Sequence, residues 1–194
     1  MKKEENRKRK WWRIGGNVLF YGLLAALIFS SDAKAFFLKQ LVQLGLFNAE
    51  IKKETVAISK PGAFSFYTPD GTMASTADLK GKVVFINFWA TWCPPCRAEM
   101  PSLQALYNQF QNDDRIVFLF ISEDEDKEKA AQYLKNHQLT FPLITRAGNV
   151  PEALFSGTLP TTVILDKEGS LVYKKEGIAN YNSDAFIDGL KNLL

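Results

Sequence analysis

The feature that most constrains the fold is a nearly continuous apolar run at residues 82–89, Lys-Val-Val-Phe-Ile-Asn-Phe-Trp. Such a run is typical of a strand that is buried on both faces in a parallel or mixed sheet. Soon after it, over residues 95–110, apolar side chains recur at the spacing of one helical face. The two patterns together predict a buried central strand followed by a helix.

Further elements continue this alternation along the chain. The Thr-Pro-Asp-Gly turn at residues 68–71 predicts an N-terminal β-hairpin, and Ser183 is suited to cap a terminal helix. Between them we expect a second buried strand at 116–121, a charged helix at 126–137, and a closing hairpin made by 161–165 and 171–174. The order of these elements predicts an α/β protein with a central mixed sheet flanked by helices.

The chain has two cysteines, and both belong to the motif Trp92-Cys93-Pro94-Pro95-Cys96 at the start of the predicted helix. Cys93 stands where the helix dipole and unpaired N–H groups favour an anion, which lowers the pKa of a thiol. The two prolines suit the first turn because residues there need no backbone donor. We therefore expect Cys93 to be the exposed, attacking thiolate and Cys96, one turn further in, the more buried resolving thiol.

Two other roles for the cysteines are a structural staple and a metal site. A staple between residues three apart closes a loop too short to stabilise the chain much. Zinc requires four ligands, and the chain adds only His137, which we expect on an exposed helix face. We therefore expect no metal and no other cofactor.

The longer string at residues 85–101, Phe-Ile-Asn-Phe-Trp-Ala-Thr-Trp-Cys-Pro-Pro-Cys-Arg-Ala-Glu-Met-Pro, resembles the membrane-anchored, TlpA/ResA-like thiol-disulfide oxidoreductases of the thioredoxin superfamily. The resemblance implies a thioredoxin-like fold of the AhpC/TSA-redoxin type over residues 63–194. It implies a redox-active disulfide between Cys93 and Cys96 that exchanges with disulfides of protein substrates. It also implies that Pro160 forms a cis peptide bond and packs beside the disulfide.

One position departs from the thioredoxins proper, which carry a buried Asp where this chain has Asn87. An amide cannot exchange a proton, so another group is needed for Cys96. Related exported proteins have an acidic residue after the following strand, and here Glu123 and Asp124 stand there. We predict that Asp124 or Glu123 handles this proton; the alternative is a solvated acidic turn that caps the next helix. Trp92 is interpreted as a packing or lid residue.

Upstream of this domain, residues 1–13 form a tail with seven basic and two acidic residues, and the 18 residues at 14–31 carry no charge. A helix over that stretch is about 27 Å long, close to the roughly 30 Å core of a bilayer. We therefore predict a cytoplasmic tail, a transmembrane signal anchor and a catalytic domain on the extracytoplasmic (periplasmic) side. Residues 32–62 then form an amphipathic segment on the outer membrane surface and a linker.

A cleavable signal peptide is the alternative for this segment. Its most apolar part, residues 18–29, has the length of a signal-peptide core, and Ala-Lys-Ala at residues 33–35 fits a small-x-small cleavage site. Both alternatives place the C-terminal domain outside the cytoplasm.

Beyond the tail, acidic residues outnumber basic ones by two, which argues against a nucleic-acid-binding surface.

From the resemblance we predict a protein-disulfide reductase that receives electrons from a membrane thiol transporter, with apocytochrome c as a substrate during cytochrome c maturation. The alternatives are a thiol oxidase or isomerase and a thiol peroxidase of the peroxiredoxin class. The peroxidase pattern Pro-x-x-x-Thr-x-x-Cys fits poorly, because Thr91 stands two residues before Cys93 and Trp89 takes the proline position.

Overall fold

A mixed sheet of seven strands lies at the centre of the computed structural model, which describes residues 2–51 and 60–194. The strands are β1 (Ser65–Tyr67), β2 (Met73–Ser75), β3 (Val83–Trp89), β4 (Ile116–Ser122), β5 (Leu143–Arg146), β6 (Thr161–Leu165) and β7 (Leu171–Glu176). The α-helices are α1 (Lys2–Phe29), α2 (Ser31–Gln43), α3 (Pro94–Phe110), α4 (Lys127–Asn136) and α5 (Asp184–Lys191). Across the sheet the strand order is β2-β1-β5-β4-β3-β6-β7.

Strand β3 is a central strand, parallel to β4 on one side and antiparallel to β6 on the other. All of its residues are buried, which confirms the predicted strand with two buried faces. Phe85 and Trp89 pack into a cluster with residues of α3, α4 and α5. Ile86 and Phe88 pack into the cluster on the opposite face, where Phe155 stacks on Phe88 with ring centroids 4.4 Å apart. The predicted α/β arrangement with a mixed sheet and flanking helices is therefore confirmed.

At the far edge of the sheet, β1 and β2 pair antiparallel, and β1 in turn pairs antiparallel with β5. Gly71, with φ of +84°, occupies the turn between β1 and β2, where a left-handed backbone favours glycine. Because β5 also lies parallel to β4, it joins this pair to the centre of the sheet.

The helices of the C-terminal domain begin where the sequence predicts. Asp126 caps α4 and accepts a hydrogen bond from the Lys129 N–H at 3.1 Å, and Ser183 caps α5. His137 follows the last residue of α4 and is exposed, with its ring stacked on Tyr133. The expected surface position of His137 is thus confirmed.

The N-terminal helices differ from the prediction of one membrane span over residues 14–31. The first helix ends at Phe29, because Ser30 adopts an extended backbone and caps α2 by accepting a hydrogen bond from the Ala33 N–H at 3.2 Å. Among the described residues, no single helix has both the length and the apolarity needed to cross a bilayer; Ile14–Ala26 and Ser31–Gln43 satisfy this criterion only jointly, as a pair bent by 95°.

After the bend, residues 31–51 form an arm that packs against the C-terminal domain. Val42 of α2 is buried, and Asp32 forms an ion pair with Arg97 of α3 at 2.5 Å. Further along the arm, Asn48 forms a parallel bridge with Asn180. The sequence predicts this segment on the membrane surface; its contact with α3 is not indicated by any local pattern. Most of the predicted linker, at 52–59, lies outside the described residues.

Candidate functional site

The two cysteines form a disulfide at the N-terminus of α3, with their Cα atoms 5.3 Å apart. Cys93 is the capping residue of the helix, and Pro94 and Pro95 fill its first positions, as the sequence predicts. Cys96 is completely buried, whereas Cys93 retains 4% exposure. Both cysteines are therefore buried in the disulfide form, and the expected exposure of Cys93 is wrong for this form.

The helix terminus places a backbone donor beside the sulfur of Cys93. The Cys96 N–H donates to Cys93 Sγ at 3.2 Å. After reduction, the same N–H and the positive end of the α3 dipole stabilise a thiolate at Cys93. Cys96 lies one turn inside the helix, so its sulfur lacks this stabilisation. The geometry therefore assigns the two sulfurs different chemical roles.

The peptide bond between Leu159 and Pro160 is cis, as the resemblance implies. Pro160 precedes β6, in which Thr161 pairs with Phe88 of β3. This antiparallel register places Pro160 level with Trp89, at the end of β3 from which the chain continues into the Cys93 loop. Pro160 is buried, and its carbonyl accepts a hydrogen bond from the Gly177 N–H at 2.8 Å. The proline is thus fixed at the active-site end of the sheet.

Asp124 holds the loop that leads into Cys93. Its carboxylate accepts hydrogen bonds from the Thr91 N–H at 2.9 Å, the Thr91 hydroxyl at 2.6 Å and the Ser122 hydroxyl at 2.9 Å. Three donors on one carboxylate fix its position between the Thr91 loop and the end of β4. The structure therefore gives Asp124 a positioning role at the loop, and its predicted proton exchange with Cys96 stays a prediction.

Glu123 lies beside an open groove of about 380 Å³ next to the motif. Its carboxylate forms an ion pair with Arg146 at 2.9 Å, and burial raises its pKa despite the opposing effect of Arg146. Trp92, which is 59% exposed, and Leu159 supply apolar walls to the same groove. A surface with exposed aromatic area beside a reactive disulfide suits the docking of a polypeptide.

Glu99 of α3, one helical turn after Cys96, is a buried acid that the sequence patterns did not predict. Its side chain is completely buried, and burial raises its pKa to about 8. Asn87 of β3 donates to its carboxylate at 2.9 Å and to the Thr162 hydroxyl at 2.9 Å, while the Ala179 N–H donates to the carboxylate at 3.3 Å. Residues three apart on a helix share a face, so Glu99 lies one turn beyond Cys96 on the same side of α3.

A signal for this acid is present in the sequence. Cys96, Glu99, Leu103 and Leu106 follow one another at helical spacings of three and four residues, so a carboxylate stands within the apolar stripe of α3. Asn87 alternates with Phe85 and Trp89 on β3 and therefore faces the same side. The position where thioredoxins proper have an Asp thus holds an amide that binds a carboxylate supplied by the helix.

The assembled site can carry out thiol-disulfide exchange at neutral pH. It combines a sulfur at a helix N-terminus, a second sulfur one turn inside, and a buried carboxyl group whose pKa lies near the working range of an acid–base catalyst. The described site residues supply the thiols, the acid and the positioning contacts from one end of the central sheet.

Comparisons with known proteins agree with this chemistry. The Redoxin family pattern matches residues 57–187. The chain is 36% identical over 125 residues to the thiol-disulfide oxidoreductase ResA of one Bacillus cereus strain, covering 63% of this chain and 71% of that protein. It is 32% identical over 162 residues to ResA of a second strain, Bacillus cereus ATCC 10987, covering 83% of this chain and 89% of that protein. A thiol:disulfide interchange protein of Chlorobium tepidum TLS superposes with a TM-score of 0.58 at 26% identity, covering 72% of this chain and 98% of that structure.

Proposed function

The chain belongs to the Redoxin family and is a thiol-disulfide oxidoreductase, and from this premise we propose that it reduces disulfides of proteins outside the cytoplasm. The observation that carries the proposal is the placement of Cys93 and Cys96. One sulfur caps a helix and the other is buried one turn inside, on the helix face that also carries a carboxyl group of raised pKa.

In the reduced protein, the Cys93 thiolate attacks one sulfur of a substrate disulfide. A mixed disulfide forms, and the other substrate sulfur leaves as a thiolate that takes up a proton. Cys96 then attacks Sγ of Cys93, which releases the second substrate sulfur and closes the internal disulfide. The substrate gains two electrons, and the cysteine pair loses two. A membrane thiol donor returns these electrons by the same exchange in reverse.

The second step requires that Cys96 lose its proton. Glu99 lies one helical turn away on the same face of α3, and because its pKa is about 8, the ionised fraction that can accept a proton grows as the pH rises towards that value. Asp124 is already bound by three donors from Thr91 and Ser122. We therefore infer that Glu99 receives the Cys96 proton and that Asp124 positions the Cys93 loop.

We further propose that the N-terminal segment anchors the protein in a membrane with the catalytic domain outside. The basic excess at 1–13 precedes an uncharged stretch, which supports a cytoplasmic location for the tail. Exposed apolar side chains along α1, including Val18, Phe20 and Ile28, support insertion into lipid. The natural substrate is a secreted protein with an accessible disulfide, for which the Cys-x-x-Cys-His haem site of an apocytochrome c is the proposed example.

The redox potential of the Cys93–Cys96 pair tests the proposed direction. Equilibration with glutathione or dithiothreitol should give a value near that of thioredoxin, about −270 mV. Insulin reduction should be catalytic with dithiothreitol as the electron donor. A potential above roughly −180 mV contradicts the reductase and indicates an oxidase or isomerase instead. Consumption of hydrogen peroxide at a rate above that of insulin reduction indicates the peroxidase.

A further inference from the structure

Helix α2 carries apolar side chains on two opposite faces. The inward face contains Ala35, Leu38 and Val42, and its first and last members are 7% and 3% exposed against the domain. The outward face presents Phe37, which is 50% exposed, and Leu44 at the end of the helix, which is 76% exposed. A helix that is apolar on both faces is normally buried on both. The outward face of α2 therefore lacks a cover among the described residues.

The outward face continues the apolar surface of α1. Val18, Tyr21, Ile28 and Phe29 of α1 are 54–87% exposed, and Phe29 lies immediately before the bend into α2. Apolar surface of this extent on a folded protein marks an interaction site. Exposed apolar side chains resume on α2 after the polar residues of the bend, so an apolar environment that covers Phe29 of α1 would also reach Phe37 of α2.

The bend between the helices fixes how α2 meets that environment. The axes of Ile14–Ala26 and Ser31–Gln43 differ by 95°. If α1 stands along the membrane normal, α2 lies in the plane of the membrane surface, the orientation of an interfacial helix. The charged side chains at the start of α2 fit this placement. Asp32 forms an ion pair with Arg97 at 2.5 Å, and the exposed Lys34 ammonium can bind anionic lipid headgroups.

We propose that α2 is an interfacial helix, with its outward face in the lipid headgroup region and its inward face on α3. The proposal rests on the membrane anchorage proposed above. The ion pair of Asp32 with Arg97 ties the start of α2 to the residue that follows Cys96. The arm thus holds the active-site helix at the bilayer surface, where α2 separates lipid from the catalytic domain.

The test uses the full chain with the catalytic thiols replaced by Cys93→Ser and Cys96→Ser. A single new thiol for an environment-sensitive NBD label is introduced by Phe37→Cys or by Leu44→Cys. The matched control is Glu168→Cys, in the exposed turn between β6 and β7. Each labelled protein is reconstituted in vesicles of phosphatidylcholine and phosphatidylglycerol, separated by flotation, and exposed to lipids that carry a nitroxide quencher near the headgroup.

The labels at Phe37 and Leu44 should emit at shorter wavelength than the control and lose roughly half of their emission to the lipid quencher, as expected for an interfacial depth. Proteins that float with the vesicles but show no more quenching at Phe37 and Leu44 than at Glu168 overturn the interfacial helix and leave the anchorage intact. A shift to shorter wavelength without quenching by lipid also overturns it, because a second copy of the chain then covers the face. If the labelled proteins do not float with the vesicles, both the membrane anchorage and the interfacial helix are overturned. Insulin reduction by the wild type tests the proposed reductase activity independently of this result.

Discussion

The two cysteines lie one helical turn apart, yet their surroundings differ in kind. On the Cys93 side, Asp124 is saturated by three donors from Thr91 and Ser122. On the Cys96 side, Glu99 is completely buried, and its pKa rises to about 8. The two carboxyl groups therefore differ in their surroundings: three donors hold Asp124 in place, whereas burial raises the pKa of Glu99.

Desolvation and the number of donors account for this difference. Several donors restrict where the carboxylate of Asp124 can lie, whereas removal from water favours the protonated form of Glu99 and raises its pKa. In the proposed mechanism, Asp124 thus positions the loop of the nucleophile Cys93, and Glu99 exchanges the proton of the resolving thiol Cys96. Three predictions test this division of roles.

Replacing the sulfurs has the largest expected effect. Cys93→Ser removes the nucleophile and should lower insulin reduction by more than about a thousandfold. Cys96→Ser keeps the nucleophile and should accumulate a mixed disulfide with the substrate, detectable by mass spectrometry of the intact protein. If alkylation of the reduced protein at pH 6 labels Cys96 faster than Cys93, the roles of the two sides are reversed.

Replacing Glu99 and replacing Asp124 should change the pH dependence of mixed-disulfide decay in different ways. Glu99→Gln should slow decay of the mixed disulfide by roughly 100-fold at pH 8, since general acid–base groups contribute on that scale. In the wild type, decay should accelerate as the pH rises through about 8, where Glu99 loses its proton, and the variant should lack this rise. The measurement is single-turnover quenching across pH 6–9.

The matched variant on the other side is Asp124→Asn. It should lower stability by about 1–3 kcal/mol, because one donor of Thr91 or Ser122 is left without its partner. The rise of the decay rate with pH should remain. The division of roles is contradicted if the decay rate of the mixed disulfide no longer rises with pH in Asp124→Asn but still rises in Glu99→Gln. That result makes Asp124 the proton acceptor for Cys96.

The last prediction concerns how stability depends on pH. Glu99 is charged in the unfolded chain above its ordinary pKa of 4.5 but stays protonated in the folded protein up to about pH 8. Folding therefore takes up a proton in this window, so the free energy of unfolding should fall as pH rises, by up to about 1.4 kcal/mol per pH unit. Urea titrations at pH 5–8 should show this slope in the oxidised wild type.

Glu99→Gln should remove the contribution of Glu99 to the slope of the free energy of unfolding against pH. Glu125→Gln, which changes an exposed acid, should retain that contribution. An unchanged slope in Glu99→Gln means that Glu99 is ionised in the folded protein at neutral pH. In that case burial does not raise the pKa of Glu99, and its proposed proton exchange with Cys96 is contradicted.

Much of the domain was predictable because local signals and burial agree there. The uninterrupted apolar run of β3 and the capping residues Asp126 and Ser183 each determine an element with little help from distant residues. Both cysteines were predictable for the same reason, since their chemistry depends on the start of one helix. The cis bond at Pro160 was accessible only through the resemblance to a family.

The missed features depend on contacts between segments distant in sequence. Glu99 is a buried acid only because Asn87 and Ala179 approach it from β3 and from the segment before α5. The bend after Phe29 depends on Ser30, whose capping ends an apolar stretch that otherwise favours a continuous helix. Composition carries no information on either contact.

The bridge between the arm and the domain has an energetic consequence for the active site. Asn180 exchanges backbone hydrogen bonds with the arm, donating to Phe47 at 2.7 Å and accepting from Ala49 at 3.0 Å. Its neighbour Ala179 donates to the carboxylate of Glu99. Binding equilibria that share a structural element are reciprocal. A shift of Asn180 with the arm would also move the Ala179 N–H, one of the two donors to Glu99, and by the same reciprocity a change at Glu99 would act back on the arm.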